Sequence, residues 1–216
     1  MQLLKVSDAD GPDSPATVRA VVEGDLSYLG AIRSRDAEAG LTGRLSEESW
    51  ASVLTELSRD SRSVFLVALV GSAFAGYAVA TPSAVDAQRR VIARSPRLWL
   101  DVARSNAHDP RLLIPTIRRM GRLMRPLRPH GDPEFRLLDI VVAADFRGRG
   151  VGNALLSSTL ASAEHAGHAA IGLSVLADNA SAIRLYQRNG FVIDRRATRD
   201  DGRQVVTMSC RLEAPA

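Results

Sequence analysis

One segment constrains this chain more than any other. Phe135–Val142 (FRLLDIVV) is a largely apolar run interrupted by Asp139, and it reads as a strand buried on both faces. It leads into Arg147-Gly148-Arg149-Gly150-Val151-Gly152, and a helix follows to about Gly167. Strand, glycine-rich turn and helix in that order make a seat for phosphate. Glycines let the backbone approach an anion closely, and the unbonded N–H groups of the first helical turn point toward it. Arg147 and Arg149 add positive charge. The same arrangement also serves plain helix–strand packing, so the turn alone leaves both readings open.

Two familiar nucleotide motifs are excluded. The third glycine comes one residue too early for the dinucleotide fingerprint G-x-G-x-x-G, and no Gly-Lys-Ser/Thr follows to make a P-loop.

The rest of the chain alternates strands and helices. After a polar, Pro/Gly-rich leader over residues 1–15, expected to be loose, Thr17–Val22 reads as a first strand. Asp25 is placed to cap a helix over Leu26–Ala37. Ser46 caps a second helix, with Glu47 and Glu48 in the first turn where the helix dipole favours carboxylates. Trp50, Val53, Leu54 and Leu57 give that helix one apolar face. Val64–Val70 and Ala73–Thr81 form a hairpin across Gly71-Ser72. Beyond the glycine turn, Ala169–Val175 reads as a strand, Asn179–Asn189 as a helix stopped by Gly190, and Phe191–Arg195 as a strand. Asp200-Asp201-Gly202 then turns into a last strand, Val205–Arg211. The fold class is α/β (α+β): a central mixed sheet flanked by helices.

Charge is concentrated in one place. The net charge of the 216 residues is +4, with Lys5 the only lysine, yet residues 84–130 hold eleven arginines against three aspartates. That segment carries +8 and the remainder −4. Prolines cut it into short pieces, and Leu113, Ile114, Ile117, Met120 and Met124 make an apolar stripe over Arg111–Arg125. It reads as a basic helical insertion between the third and fourth strands of a single domain spanning 1–216.

Several classes fall away. Cys210, the one cysteine, excludes a disulfide framework and a cysteine-cluster zinc site. His165 and His168 stand beside Glu164 without the H-E-x-x-H pattern or a visible third ligand, and at a helix C-terminus they suit the dipole, so no metal is expected. No apolar run approaches the roughly 18–20 residues of a membrane span, and Met1–Pro15 has no signal-peptide core, so a cytoplasmic protein is expected.

A second signal lies downstream. Asn179-Ala180-Ser181-Ala182-Ile183-Arg184-Leu185-Tyr186 runs on to Asn189-Gly190-Phe191. Asn179 by itself reads equally as a plain N-cap and Tyr186 as a half-buried aromatic. Together with the glycine turn, however, residues 137–193 resemble the GNAT superfamily of N-acetyltransferases. Arg147, Gly150 and Gly152 fit its Arg/Gln-x-x-Gly-x-Gly/Ala pattern, and Asn179, Leu185-Tyr186 and Gly190-Phe191 fit its second half. Ala144 stands where many relatives have proline.

The resemblance implies acetyl-CoA as cosubstrate. Its pyrophosphate would lie on the N–H groups of Gly148, Arg149, Gly150, Val151 and Gly152, beside Arg147. The strand end at Val141 and Val142 would pair with the pantetheine amides, and a backbone N–H there would polarise the thioester carbonyl. Asn179 would bond the pantetheine arm, and Tyr186 would protonate the departing thiolate. A primary amine would attack directly, without an acyl-enzyme. An alkylamine pKa of about 10 calls for a base. Asp139 is the first candidate, its pKa raised by burial, or else a structural carboxylate paired with an arginine or a backbone N–H; Glu134 is the second.

The acceptor, a small-molecule or peptide amine, is unresolved among amino sugars, antibiotics, other small amines and proteins. The insertion resembles that of bacterial members for which sugar acetylation is suspected. It reads as a basic lid over phosphates, as a stripe packed on the sheet, or as a surface for anionic membrane. The rival function is a non-catalytic acetyl-CoA-sensing or nucleic-acid-binding module using the arginines. With only Trp99 aromatic in the insertion, nucleic acid is not expected. A homodimer is compatible with the sequence.

Overall fold

The structure, a computed structural model, describes residues 15–35, 45–105, 133, 135–198 and 202–213. The leader up to residue 14, the helix expected over Arg111–Arg125, the turn at Asp200-Asp201 and Glu134 lie outside the described residues.

The elements in chain order are β1 (Thr17–Ala20), α1 (Leu26–Arg35), α2 (Glu47–Ser58), β2 (Val64–Val70), β3 (Ala73–Thr81), α3 (Ala84–Arg94), α4 (Pro96–Ser105), β4 (Phe135–Val142), α5 (Val151–His165), β5 (Ala170–Leu176), α6 (Ala180–Arg188), β6 (Val192–Thr198) and β7 (Gln204–Arg211). The seven strands form one sheet in the order β1-β2-β3-β4-β5-β7-β6. Every neighbouring pair is antiparallel except β4 with β5. This is the mixed sheet flanked by helices that the sequence predicts, with a helix-rich stretch between β3 and β4.

Local signals act as read at most boundaries. Ser46 Oγ accepts from the Ser49 N–H at the start of α2. Gly71, at φ +60, closes the β2–β3 turn, a left-handed conformation that glycine adopts without strain. Asp25 departs from expectation. Its carboxylate bonds back to the Val22 N–H at 2.9 Å and pairs with Arg19, closing a 3-10 turn over Glu23–Asp25 before α1 begins.

Two packed layers cover the sheet. On one face, Leu155, Leu156 and Ala163 of α5 meet Ala78, Ala80, Phe135 and Ile171. On the other, Leu26, Leu29 and Leu54 of α1 and α2 meet Phe65, Val67, Tyr77, Val79 and Val141. The faces of β4 are exchanged by a bulge: Val79 stands opposite Asp139 and Ala80 opposite Leu137, leaving Leu138 extra. With side chains alternating along a strand, one extra residue inverts the parity. Phe135 and Leu137 therefore join the α5 layer, and Val141 joins the α1 layer.

The first half of the insertion is a third, smaller core. Ile92 and Leu98 pack with Leu45, Trp50 and Val53, so α3 and α4 dock on α2 rather than on the sheet. Asp101 accepts the Ser46 N–H at 2.8 Å, tying α4 to the start of α2. Among the described residues no helix is long and apolar enough to cross a membrane.

Candidate active site

The site originates in a failure of strand pairing. β4 and β5 bond only at Phe135–Ile171 and Arg136–Gly172. Beyond those pairs the parallel strands part, opening a cleft of about 1500 Å³ walled by β4, β5, the glycine turn and α6. The expectation that β4 is buried on both faces fails for this reason: Leu138, Asp139, Ile140 and Val142 border the cleft and are only partly buried.

Backbone polarity along β4 follows from one bond. The Ala143 N–H donates to the Ala75 carbonyl at 2.9 Å. Bonding direction alternates along an antiparallel strand, so Val141, paired with Tyr77, also turns its N–H and C=O to β3. A Cβ on Gly76 would collide with the Val141 carbonyl, which is why β3 carries glycine there. Val142 and Ile140 face the cleft instead. This corrects the sequence reading at Val141, whose side chain is core and whose backbone serves β3. No local sequence signal distinguishes the two edges. The Val142 carbonyl already accepts Arg147 Nε at 3.1 Å.

The glycine turn has the geometry of an anion seat. Gly148 and Gly150 hold φ of +77 and +80, and a Cβ at either would meet nothing within 4 Å. The space above them is open to a diphosphate. The first helical bond of α5 runs from the Ala154 N–H to the Gly150 carbonyl, so the N–H groups of Val151, Gly152 and Asn153 precede it. A Cβ on Gly152 would make ordinary contact with Leu185 and Val142, at 3.4 and 3.5 Å. Arg149 lies over the Phe146 ring at 5.9 Å.

The opposite wall is α6. Asn179 Oδ1 accepts the Ala182 N–H at 3.0 Å, so its oxygen is the N-cap, and its amide nitrogen makes no bond among the described residues. Tyr186 borders the cleft, with Phe191 at 5.6 Å between ring centres. Burial, aided by the negative charge of Asp139, pushes its phenol well above the usual range and keeps the proton on oxygen. Asn189 latches α6 to α5, donating to Asn153 Oδ1 at 2.9 Å.

Asp139 is not in the apolar surroundings expected of it. After the bulge it points to the α1 layer, where Arg33 Nε donates to Oδ2 at 2.9 Å and Tyr77 Oη donates to the same oxygen at 2.7 Å. Its carboxylate is thus paired with one guanidinium and one phenol. Tyr77 is wholly buried, and burial with the adjacent carboxylate pushes its phenol up. Cys210 is buried in β7 with Sγ directed to the Asn189 carbonyl, away from the cleft wall. His165 Nδ1 pairs with the Ala161 carbonyl, and His168 stacks on Phe135.

The described residues thus bring together a mixed sheet split between β4 and β5, an open glycine turn, and a protonated phenol on the far wall. Residues 31–191 match the acetyltransferase (GNAT) family, and the chain belongs to that family: it is an acyltransferase whose cosubstrate is acetyl-CoA. Solved structures agree on the fold. The ribosomal-protein-S18-alanine N-acetyltransferase of Escherichia coli is 19% identical, with 94% of this chain and 97% of that one covered at a TM-score of 0.57. An N-acetyltransferase of Staphylococcus aureus reaches a TM-score of 0.61 at 16% identity, covering 93% of this chain and 100% of that one. A putative acetyltransferase of Salmonella typhimurium, solved with its cofactor acetyl-CoA, is 15% identical over 93% of this chain and 96% of its own, at 0.56. Among curated proteins, none is significantly similar in sequence.

Proposed function

We propose that the chain is a single-domain, cytoplasmic N-acetyltransferase that moves an acetyl group to a primary amine by direct attack on the thioester. The observation that carries this reading is the parting of β4 from β5 beneath an open glycine turn, with Tyr186 on the facing wall.

Acetyl-CoA supplies an acetyl thioester and, in CoA, a thiol leaving group. The N–H groups from Gly148 to Asn153 hold its diphosphate, with Arg147 and Arg149 adding charge. The cleft-facing backbone of Ile140 and Val142 receives the pantetheine amides as a missing strand would, and the Asn179 amide nitrogen donates to them. A backbone N–H of this edge polarises the thioester carbonyl. The acceptor ammonium gives up two protons as its nitrogen bonds to the acetyl carbon and the carbon–sulfur bond breaks. Asp139 takes one, and the other restores Tyr186 after its phenol has protonated sulfur.

Calorimetry of acetyl-CoA on the wild type and on Gly150→Arg tests the reading. An arginine at φ +80 is strained and fills the diphosphate seat. Binding to the wild type and its loss in the variant are expected. A folded wild type that ignores acetyl-CoA refutes the proposal.

A further inference from the structure

We propose that the acceptor is an amine carrying an anionic group, carboxylate or phosphate, close to its ammonium. This rests on the acetyl-transfer reading above and adds the class of substrate to it.

Both protein hydrogen bonds to Asp139 fall on Oδ2, and Oδ1 receives none among the described residues. Arg33 commits only Nε to Asp139, and its two terminal nitrogens find no protein acceptor among the described residues. Neither group is sealed off: their side chains are 25% and 19% exposed, and both border the cleft. One wall therefore presents an accepting oxygen and a two-nitrogen fork side by side.

Both halves of that pair are held rigidly. The Arg33 guanidinium lies over the Trp50 ring at 4.6 Å, and buried Tyr77 fixes the Asp139 carboxylate from below. Tyr77 is thus a positioning residue. A planar guanidinium fork matches a carboxylate or phosphate with two parallel hydrogen bonds, which a single ammonium cannot do. An ammonium seated on Asp139 Oδ1 places a neighbouring anion within reach of that fork. Arg35, also at the cleft, is paired with Glu47 at 4.0 Å and exposed, so the fork of Arg33 carries the recognition. A neutral amine leaves the fork to water, and a diamine sets a second cation against two arginines.

The test is CoA release from the full-length protein with matched acceptors: O-phosphoethanolamine against ethanolamine, β-alanine against propylamine, the free amino acids against their amides, and putrescine. The anionic member is expected to lead its partner in kcat/KM by about tenfold or more. Whether phosphate or carboxylate leads identifies the anion, and either result supports the class. Arg33→Gln is expected to collapse the ratio within each pair mainly through KM, with Arg33→Lys restoring part of it. The wild-type panel stands even if a variant fails to fold. Neutral amines or putrescine used equally well, no amine turned over by protein that binds acetyl-CoA, or a ratio unchanged in folded Arg33→Gln overturns the inference. Absence of acetyl-CoA binding refutes the underlying acetyl-transfer reading instead.

Discussion

Tyr186 shows how one side chain acquires a role from its surroundings. A phenol in water has a pKa of about 10 and is already a weak acid at neutral pH. Burial on α6, with the Asp139 charge nearby, raises it further and keeps the proton on oxygen; in the proposed mechanism that proton goes to the departing thiolate. Tyr186→Phe keeps the ring packed on Phe191 and removes only the proton. The expected result is a fall in kcat of about 10²–10⁴-fold with KM for acetyl-CoA little changed, read by CoA release. An unchanged kcat removes the phenol from the mechanism. The sequence located Tyr186 because it sits in a local pattern with Asn179 and Gly190. The setting of Asp139 was not legible, because Tyr77 and Arg33 lie 62 and 106 positions away.

At the scale of elements, polar bridges between helices and turns fix the angles that hydrophobic contact leaves loose. Asp60, just after α2, accepts from Arg62 with both oxygens and from Arg90 of α3 at 3.1 Å, and its side chain is 7% exposed. The Arg62 guanidinium holds its pKa down at about 2, below the usual 3.8. A depressed carboxylate stabilises the fold fully above its unfolded value and loses that effect as pH falls through the folded one. Asp60→Asn is therefore expected to cost about 1–3 kcal/mol at pH 7. The deficit should shrink as pH falls from 4 toward 2, checked by thermal unfolding of both proteins across that range. A deficit independent of pH assigns the loss to packing. The Ser46 cap, the β2–β3 hairpin and the helix stop at Gly190 were legible because each depends on residues within four positions. The docking of α3 and α4 on α2 was not, since it joins Ile92 and Leu98 to Trp50 and Val53, far apart in the chain.

At the scale of the molecule, the sheet is joined across its middle by only two residue pairs between β4 and β5, with α5 bridging behind. A ligand that fills the gap supplies the missing strand and binds only the folded state. Acetyl-CoA at a hundredfold excess over its Kd is expected to add about 2.7 kcal/mol. For a chain of this size that is roughly a 5–10 °C rise in Tm, measured by scanning calorimetry. No rise at such an excess means that acetyl-CoA does not bind the folded state in preference to the unfolded one.

By itself the sequence determined the mixed α/β class, the order of elements, the glycine turn before α5 and the helix bearing Tyr186. Each of these is written in short-range periodicity, glycine placement and capping. Tertiary structure alone decided three things. The bulge at Leu138 turned Asp139 to the α1 face, the alternation set by Ala143 gave the cleft edge to Ile140 rather than Val141, and the parting of β4 from β5 made the cleft. All three depend on which strand lies beside which and in what register. That is a property of pairs of segments far apart in the chain, and no local pattern contains it.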